Sequence, residues 1–63
     1  MAGETIEAIQ GILDHRYTAD EALRWLRAPH PQLDGGRPLD LLIDHRESEV
    51  LAVLQRIEDG GYL

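Results

Sequence analysis

Three histidines are the residues best suited to chemistry at neutral pH, and they fall at a regular interval, at positions 15, 30 and 45. An imidazole titrates near neutrality, so it serves as a base, a proton shuttle or a metal ligand. This interval matches neither a helix face nor the short spacings of zinc ligands. His15 and His45 each occupy an Asp-His-Arg triplet, Asp14-His15-Arg16 and Asp44-His45-Arg46, and each triplet precedes a hydroxyl residue suited to capping a helix. Basic side chains at a helix C-terminus are favoured by the dipole. The triplets therefore read first as helix ends, with a degenerate internal repeat, a partner contact or a metal site as alternatives.

Other chemistry is poorly supplied. A catalytic nucleophile needs a base held beside it. The only hydroxyls of serine and threonine are those of Thr5, Thr18 and Ser48, and all three suit helix caps. There is no cysteine, which excludes disulfides and a thiolate zinc site. Twelve carboxylates are spread along the chain, where solvation is their ordinary role. Sixty-three residues leave little volume for a ligand pocket of several hundred Å³. The reading is that this chain is no enzyme and needs no cofactor or metal.

The charge balance points to a protein partner. Six arginines and no lysine face twelve acids, for a net charge of −6. A nucleic-acid surface needs clustered positive charge, and here every arginine has an acid nearby in sequence. An acidic surface suits a basic partner instead. No apolar run approaches the ~18 residues of a membrane span, and no leader pattern is visible. With the lack of cysteine, this leads to the expectation of a soluble, cytoplasmic protein.

Size adds a further constraint. A chain of this mass exposes about 10,000 Å² unfolded and about 4,000 Å² folded. Burying that difference yields on the order of 90 kcal/mol of hydrophobic stabilisation. Ordering the chain costs about as much. One small domain over residues 1–63, completed by self-association or by another protein, is the expectation.

The elements that position these residues are helical. Ile6, Ile9, Ile12 and Leu13 recur at helix spacing and predict a first helix over about Thr5–His15, capped by Thr5, with Met1 to Gly3 frayed. Gly11 inside it points to close approach of another helix. Thr18-Ala19-Asp20-Glu21 is a capping box, so a second helix starts at Ala19. Its apolar face is Ala22, Leu23, Trp25 and Leu26, and Pro29 ends it. Residues 29–37 form a loop with two prolines and two glycines. Pro38 restarts a short third helix, to about Asp44, whose Leu39, Leu41, Leu42 and Ile43 predict near-complete burial. Ser48 caps a fourth helix with Val50, Leu51, Val53, Leu54 and Ile57 on its apolar face, and Gly60 follows its end. The fold class is all-α: a small bundle of four helices with a Pro/Gly-rich loop between the second and third.

Two features stay open between roles. Trp25 is either a core anchor, its indole N–H reaching a loop carbonyl, or a partly exposed interface residue. The segment Glu58-Asp59-Gly60-Gly61-Tyr62-Leu63 is either a frayed end or a docking peptide, with Tyr62 and Leu63 entering a partner's cleft.

The ordered set Ala22-Leu23-Arg24-Trp25-Leu26, Pro29, Pro31, Leu33, Gly35-Gly36, Pro38-Leu39-Asp40-Leu41-Leu42, then Val50, Leu54, Arg56-Ile57-Glu58 and Gly60 resembles the toxin-binding domain of Xre/MbcA/ParS-type antitoxins. The resemblance covers about residues 20–63, with the helix over 5–15 as an extra N-terminal element. It implies a helical module that binds a RES-domain, NAD-consuming toxin and obstructs its active-site cleft. It places Arg56, Glu58, Tyr62 and Leu63 at the partner, and gives Trp25, Leu33, Gly36, Pro38 and Leu39 structural roles. Many members of the family carry an N-terminal helix-turn-helix; only one helix precedes the matching region here, so no nucleic-acid binding by itself is expected. The segment from Asp44 to Glu49 lacks the glycine usual in the family, which implies a shorter or altered turn. The alternative function is a homodimerising adaptor or scaffold that binds another protein.

Overall fold

The computed structural model describes residues 2–60. In order they form α1 (Ala2–Arg16), α2 (Ala19–Arg27), a 3-10 turn (Pro31–Leu33), α3 (Pro38–Ile43) and α4 (Glu47–Glu58). The fold is all-α, with no strand among the described residues. Tyr62 and Leu63 lie outside them.

α4 is the axis of the bundle because its apolar residues wrap around one side at helix spacing. Val50, Val53, Leu54 and Ile57 are all buried, and the first three are at most 2 % exposed. α4 packs against α1, α3 and the 3-10 turn. Ile9 and Leu13 of α1, Leu41 of α3 and Val50 and Leu54 of α4 make one continuous core. Ala22, Trp25 and Leu26 of α2 and Leu33 of the 3-10 turn close over it, half-buried.

The capping box at α2 forms as the sequence dictates. The Glu21 N–H donates to Thr18 Oγ1 at 3.2 Å, and the Thr18 N–H donates to Glu21 Oε1 at 2.9 Å. Elsewhere the local reading needs correction. α1 begins at Ala2, so Ala2 and Gly3 are helical and Thr5 lies inside the helix rather than at its cap. α4 begins at Glu47 with Arg46 at the N-cap and no side-chain cap bond, so Ser48 is an interior position. The bidentate Arg46–Glu49 pair, at 2.6 and 2.8 Å, braces that first turn instead. Gly11 has no neighbour within 4 Å of where a Cβ would sit, so no close helix approach explains it. Leu23 is 48 % exposed rather than part of the apolar face. α3 is less buried than its composition suggests: Pro38 and Leu41 face the core, while Ile43 is 67 % exposed. A helix of six residues has one inward side, and consecutive apolar residues cannot all share it.

The turn after α3 keeps the geometry of a glycine-ended helix without the glycine. His45 takes φ +59°, its N–H donates to the Leu42 carbonyl at 3.2 Å, and the Arg46 N–H donates to the Leu41 carbonyl at 2.8 Å. These two bonds define a Schellman cap with histidine at the position glycine ordinarily takes. The left-handed conformation costs an L-residue about 1–2 kcal/mol, and glycine's extra chain entropy offsets part of any gain. His45→Gly is therefore expected to stabilise the fold by about 0.5–1 kcal/mol. Thermal melts of the two proteins check this; an unchanged or lower Tm refutes it.

Candidate functional site at the loop and the end of α4

Three prolines shape the loop by constraining the residue before each of them. Ala28, His30 and Arg37 all adopt extended backbone, with φ/ψ of −89/139°, −120/130° and −84/136°. Proline forces this by excluding its predecessor from helical space. Ala28 thus ends α2, while Pro31 and Pro38 start the 3-10 turn and α3 from their first positions. Asp34 and Gly35 then reverse the chain with φ of +56° and +79°.

His30 sits at the centre of this loop, only 4 % exposed. Its Nδ1 accepts from the Gln32 N–H at 3.1 Å and so caps the 3-10 turn. Its carbonyl accepts from the N–H groups of Leu33 and Gly35, and its own N–H donates to the Gly36 carbonyl, all at 3.0 Å. With Nδ1 accepting, the neutral ring carries its proton on Nε2. Burial favours that neutral form and lowers the pKa of His30 below 6.5. The Trp25 ring packs against it at 5.8 Å between centroids, tilted by 59°. Trp25 is half-buried on the core, and its Nε1 is buried with no hydrogen-bond partner among the described residues. The expected bond to a loop carbonyl is therefore not made.

The C-terminal end of α4 carries the residues assigned to a partner. Arg56 and Glu58 are two positions apart, so the helix turns them to opposite sides of the buried Ile57. The Arg56 Nη1 donates to Gln32 Oε1 at 3.0 Å and ties α4 to the 3-10 turn. Glu58 Oε2 lies 3.5 Å from Arg16 Nη1 and ties α4 to the end of α1. Both residues remain exposed. The structure thus brings them to one end of the bundle but not to one face. That end gathers the C-termini of two helices, each with a partial negative charge, with Glu58 and Asp59 beside Arg16 and Arg56.

The remaining assigned residues lie in the loop and in α3. Leu33 is half-buried on the core and Pro38 is fully buried. Leu39 is 36 % exposed. Gly36 is tightly enclosed: a Cβ there would meet the Leu33 carbonyl oxygen at 3.1 Å and Leu41 Cδ1 at 3.2 Å, so both would have to give by a few tenths of an ångström. Sequence reasoning left His30 and Gln32 without roles. The available signal was a side chain able to accept a hydrogen bond directly before a proline at a first helical position. Among the described residues no group of three or more acids or histidines is placed to hold a metal, and no ligand-sized pocket opens.

Two outcomes follow for the loop. Gly36→Ala is expected to destabilise by about 1 kcal/mol or more, since one of the crowded atoms is backbone; denaturant unfolding measures it, and unchanged stability contradicts the packing described. For His30, the unfolded chain binds a proton below about pH 6.5 that the buried ring resists, so stability should decline as the pH falls through that value. Glu21 and Glu49 are held below 4.5 by hydrogen bonds to Thr18 and Arg46, so their effect begins only at lower pH. His30→Asn retains an acceptor for the Gln32 N–H without the titration. Its urea midpoint should lose the decline that sets in below about pH 6.5, and an unaltered slope would assign that decline to another group.

The family model of the antitoxin Xre/MbcA/ParS C-terminal toxin-binding domain matches residues 13–60, from the last turn of α1 through the loop to the end of α4. No curated protein and no solved structure matches the chain. The helical order, the proline-braced loop and this match over most of the described residues lead to one conclusion: the chain belongs to the Xre/MbcA/ParS antitoxin family, through its toxin-binding domain.

Proposed function

We propose that this domain neutralises a RES-type, NAD-consuming toxin by covering its active-site cleft with the C-terminal end of α4. The family match carries the antitoxin role. The net charge of −6 supports the mechanism: a cleft that accepts the phosphates of NAD is basic, and complementary fields favour the encounter. Glu58 and Asp59 stand at the end of α4 beside Arg16 and Arg56, so the excess of acid belongs to the chain as a whole. Arg56 and Glu58 flank the docking end, and Tyr62 and Leu63 are the side chains assigned to the cleft. No cofactor takes part, and the site of action is the cytoplasm, where the toxin would find NAD.

The internal bonds of Arg56 and Glu58 give the docking end a fixed shape. Gln32 and Arg16 hold them before any partner arrives, which lowers the ordering cost of association. No helix among the described residues is long and apolar enough to cross a membrane.

Co-purification with the product of an adjacent RES-type gene tests the partner; absence of a complex removes it. Truncation after Asp59 tests the mechanism. The shortened chain is expected to keep its helical spectrum and to lose toxin inhibition by at least about tenfold in affinity, or about 1.4 kcal/mol. If inhibition survives the truncation unchanged, the cleft is covered by some other part of the domain.

A further inference from the structure

The arginines of this chain are held in two ways. Arg37 and Arg46 each offer a carboxylate the same edge of the guanidinium, Nε with Nη2: Arg37 to Asp40 at 2.9 and 3.0 Å, and Arg46 to Glu49 at 2.6 and 2.8 Å. That edge carries two parallel N–H donors, which match the two oxygens of a carboxylate. Arg56 is held elsewhere on its guanidinium. Its Nη1 donates to Gln32 Oε1 at 3.0 Å, while Nε and Nη2 make no hydrogen bond among the described residues. The described ion pairs are Arg16–Glu58, Arg37–Asp40 and Arg46–Glu49, so Arg56 is in none of them, although Asp59 lies three residues on. Its anchor is a neutral amide, which places the side chain and leaves its charge whole. Gln32 is seated in turn by its own N–H, which donates to Nδ1 of the buried His30.

Arg27 supplies the contrast. It too is exposed and outside the ion pairs, but no described residue holds its side chain. A partner that takes Arg27 must order a long side chain on binding, whereas for Arg56 that cost is met in the free chain. A phosphate is a poor match for the open edge, because phosphate sites need clustered cations and Glu58 and Asp59 stand close by in sequence. One carboxylate suits it, as it does at Arg37 and Arg46. We infer that the Nε–Nη2 edge of Arg56 is a binding site for a single carboxylate of the partner protein, an aspartate or glutamate side chain, and that Gln32 is the positioning residue that aims it. This rests on the toxin-binding reading of the end of α4 and adds the group that Arg56 meets there. An acidic chain docking on a basic cleft gains its register from one contact of reversed sign, since like charges set opposite each other reject the other alignments.

Calorimetric binding of the full chain to the product of the adjacent RES-type gene tests this. Arg56→Lys keeps the positive charge but has no paired N–H edge, and should weaken binding about tenfold or more. Gln32→Ala releases the guanidinium and should weaken binding about threefold or more. Gln32→Glu keeps an anchor for Arg56 but supplies a carboxylate of its own, so it should weaken binding while the melting temperature holds or rises; a merely structural role for Gln32 predicts binding as tight as wild type. Among Asp→Asn and Glu→Gln variants of the toxin, one should weaken binding to the wild-type chain and lose that effect against Arg56→Ala. A complex indifferent to Arg56→Lys, or a toxin with no acid coupled to Arg56, overturns the inference and leaves the toxin reading standing. Gln32→Glu that binds as wild type does overturns the positioning role. Absence of any complex with the wild-type chain overturns the toxin reading and the inference with it.

Discussion

The loop between α2 and α3 depends on one buried imidazole. His30 makes four hydrogen bonds within seven residues: its ring to Gln32, its carbonyl to Leu33 and Gly35, and its N–H to Gly36. Together they pair backbone groups around the one buried residue of an otherwise exposed or half-buried loop. They also set positions beyond the loop. Gln32 is presented to Arg56, Leu33 is turned into the core, and Gly36 is pressed against Leu41. The prolines prepare this arrangement by holding their predecessors extended, and position 30 closes it with three main-chain bonds and one from its ring. That is why the end of α4 and the entry to α3 share a common geometric origin.

Packing around α4 explains the distribution of exposure. One helix with four buried residues supplies most of the core, and the others contribute one inward side each, or in α2 only half-covered residues. Short helices have too few turns to bury a full face, so apolar side chains are left at the surface of α2 and α3. Leu23 and Ile43 are the clearest cases. Composition alone suggested a deeper core than this geometry delivers, because helix spacing allots only about half of any apolar run to the inside.

The parts legible in the sequence are those governed by local rules. The capping box at Thr18, the stop imposed before Pro29 and the start at Pro38 follow from side-chain chemistry within a few residues, and the structure has all three. The caps at Thr5 and Ser48 failed for an equally local reason. Helix formers precede both residues, so each helix ran on past them, and near Ser48 the Arg46–Glu49 pair braced the turn. The role of His30 was hidden because it depends on a non-local burial that places Trp25 beside it. His45 was misleading in another way. A missing glycine suggested an altered turn, yet histidine tolerates the left-handed region well enough to keep the same cap. At the end of α4, the resemblance marked Arg56 and Glu58 but not the residues that hold them, Gln32 and Arg16, which are distant along the chain.

Small size links these features to function. Globular domains hold roughly 0.05–0.15 kcal/mol per residue, which for a chain of this length amounts to about 3–9 kcal/mol. A partner that binds only the folded form, at a hundred times its dissociation constant, adds about 2.7 kcal/mol. For this domain that is a large fraction of the total, whereas for a protein five times longer it would be minor. An antitoxin domain of this family therefore gains more from its partner, in proportion, than a large protein would, and its free form is correspondingly open to unfolding. The buried His30, which resists the proton that the unfolded chain takes up, and the left-handed His45 keep that margin narrow from within the fold. A small core thus sets both how narrow that margin is and how much a bound partner adds to it in proportion.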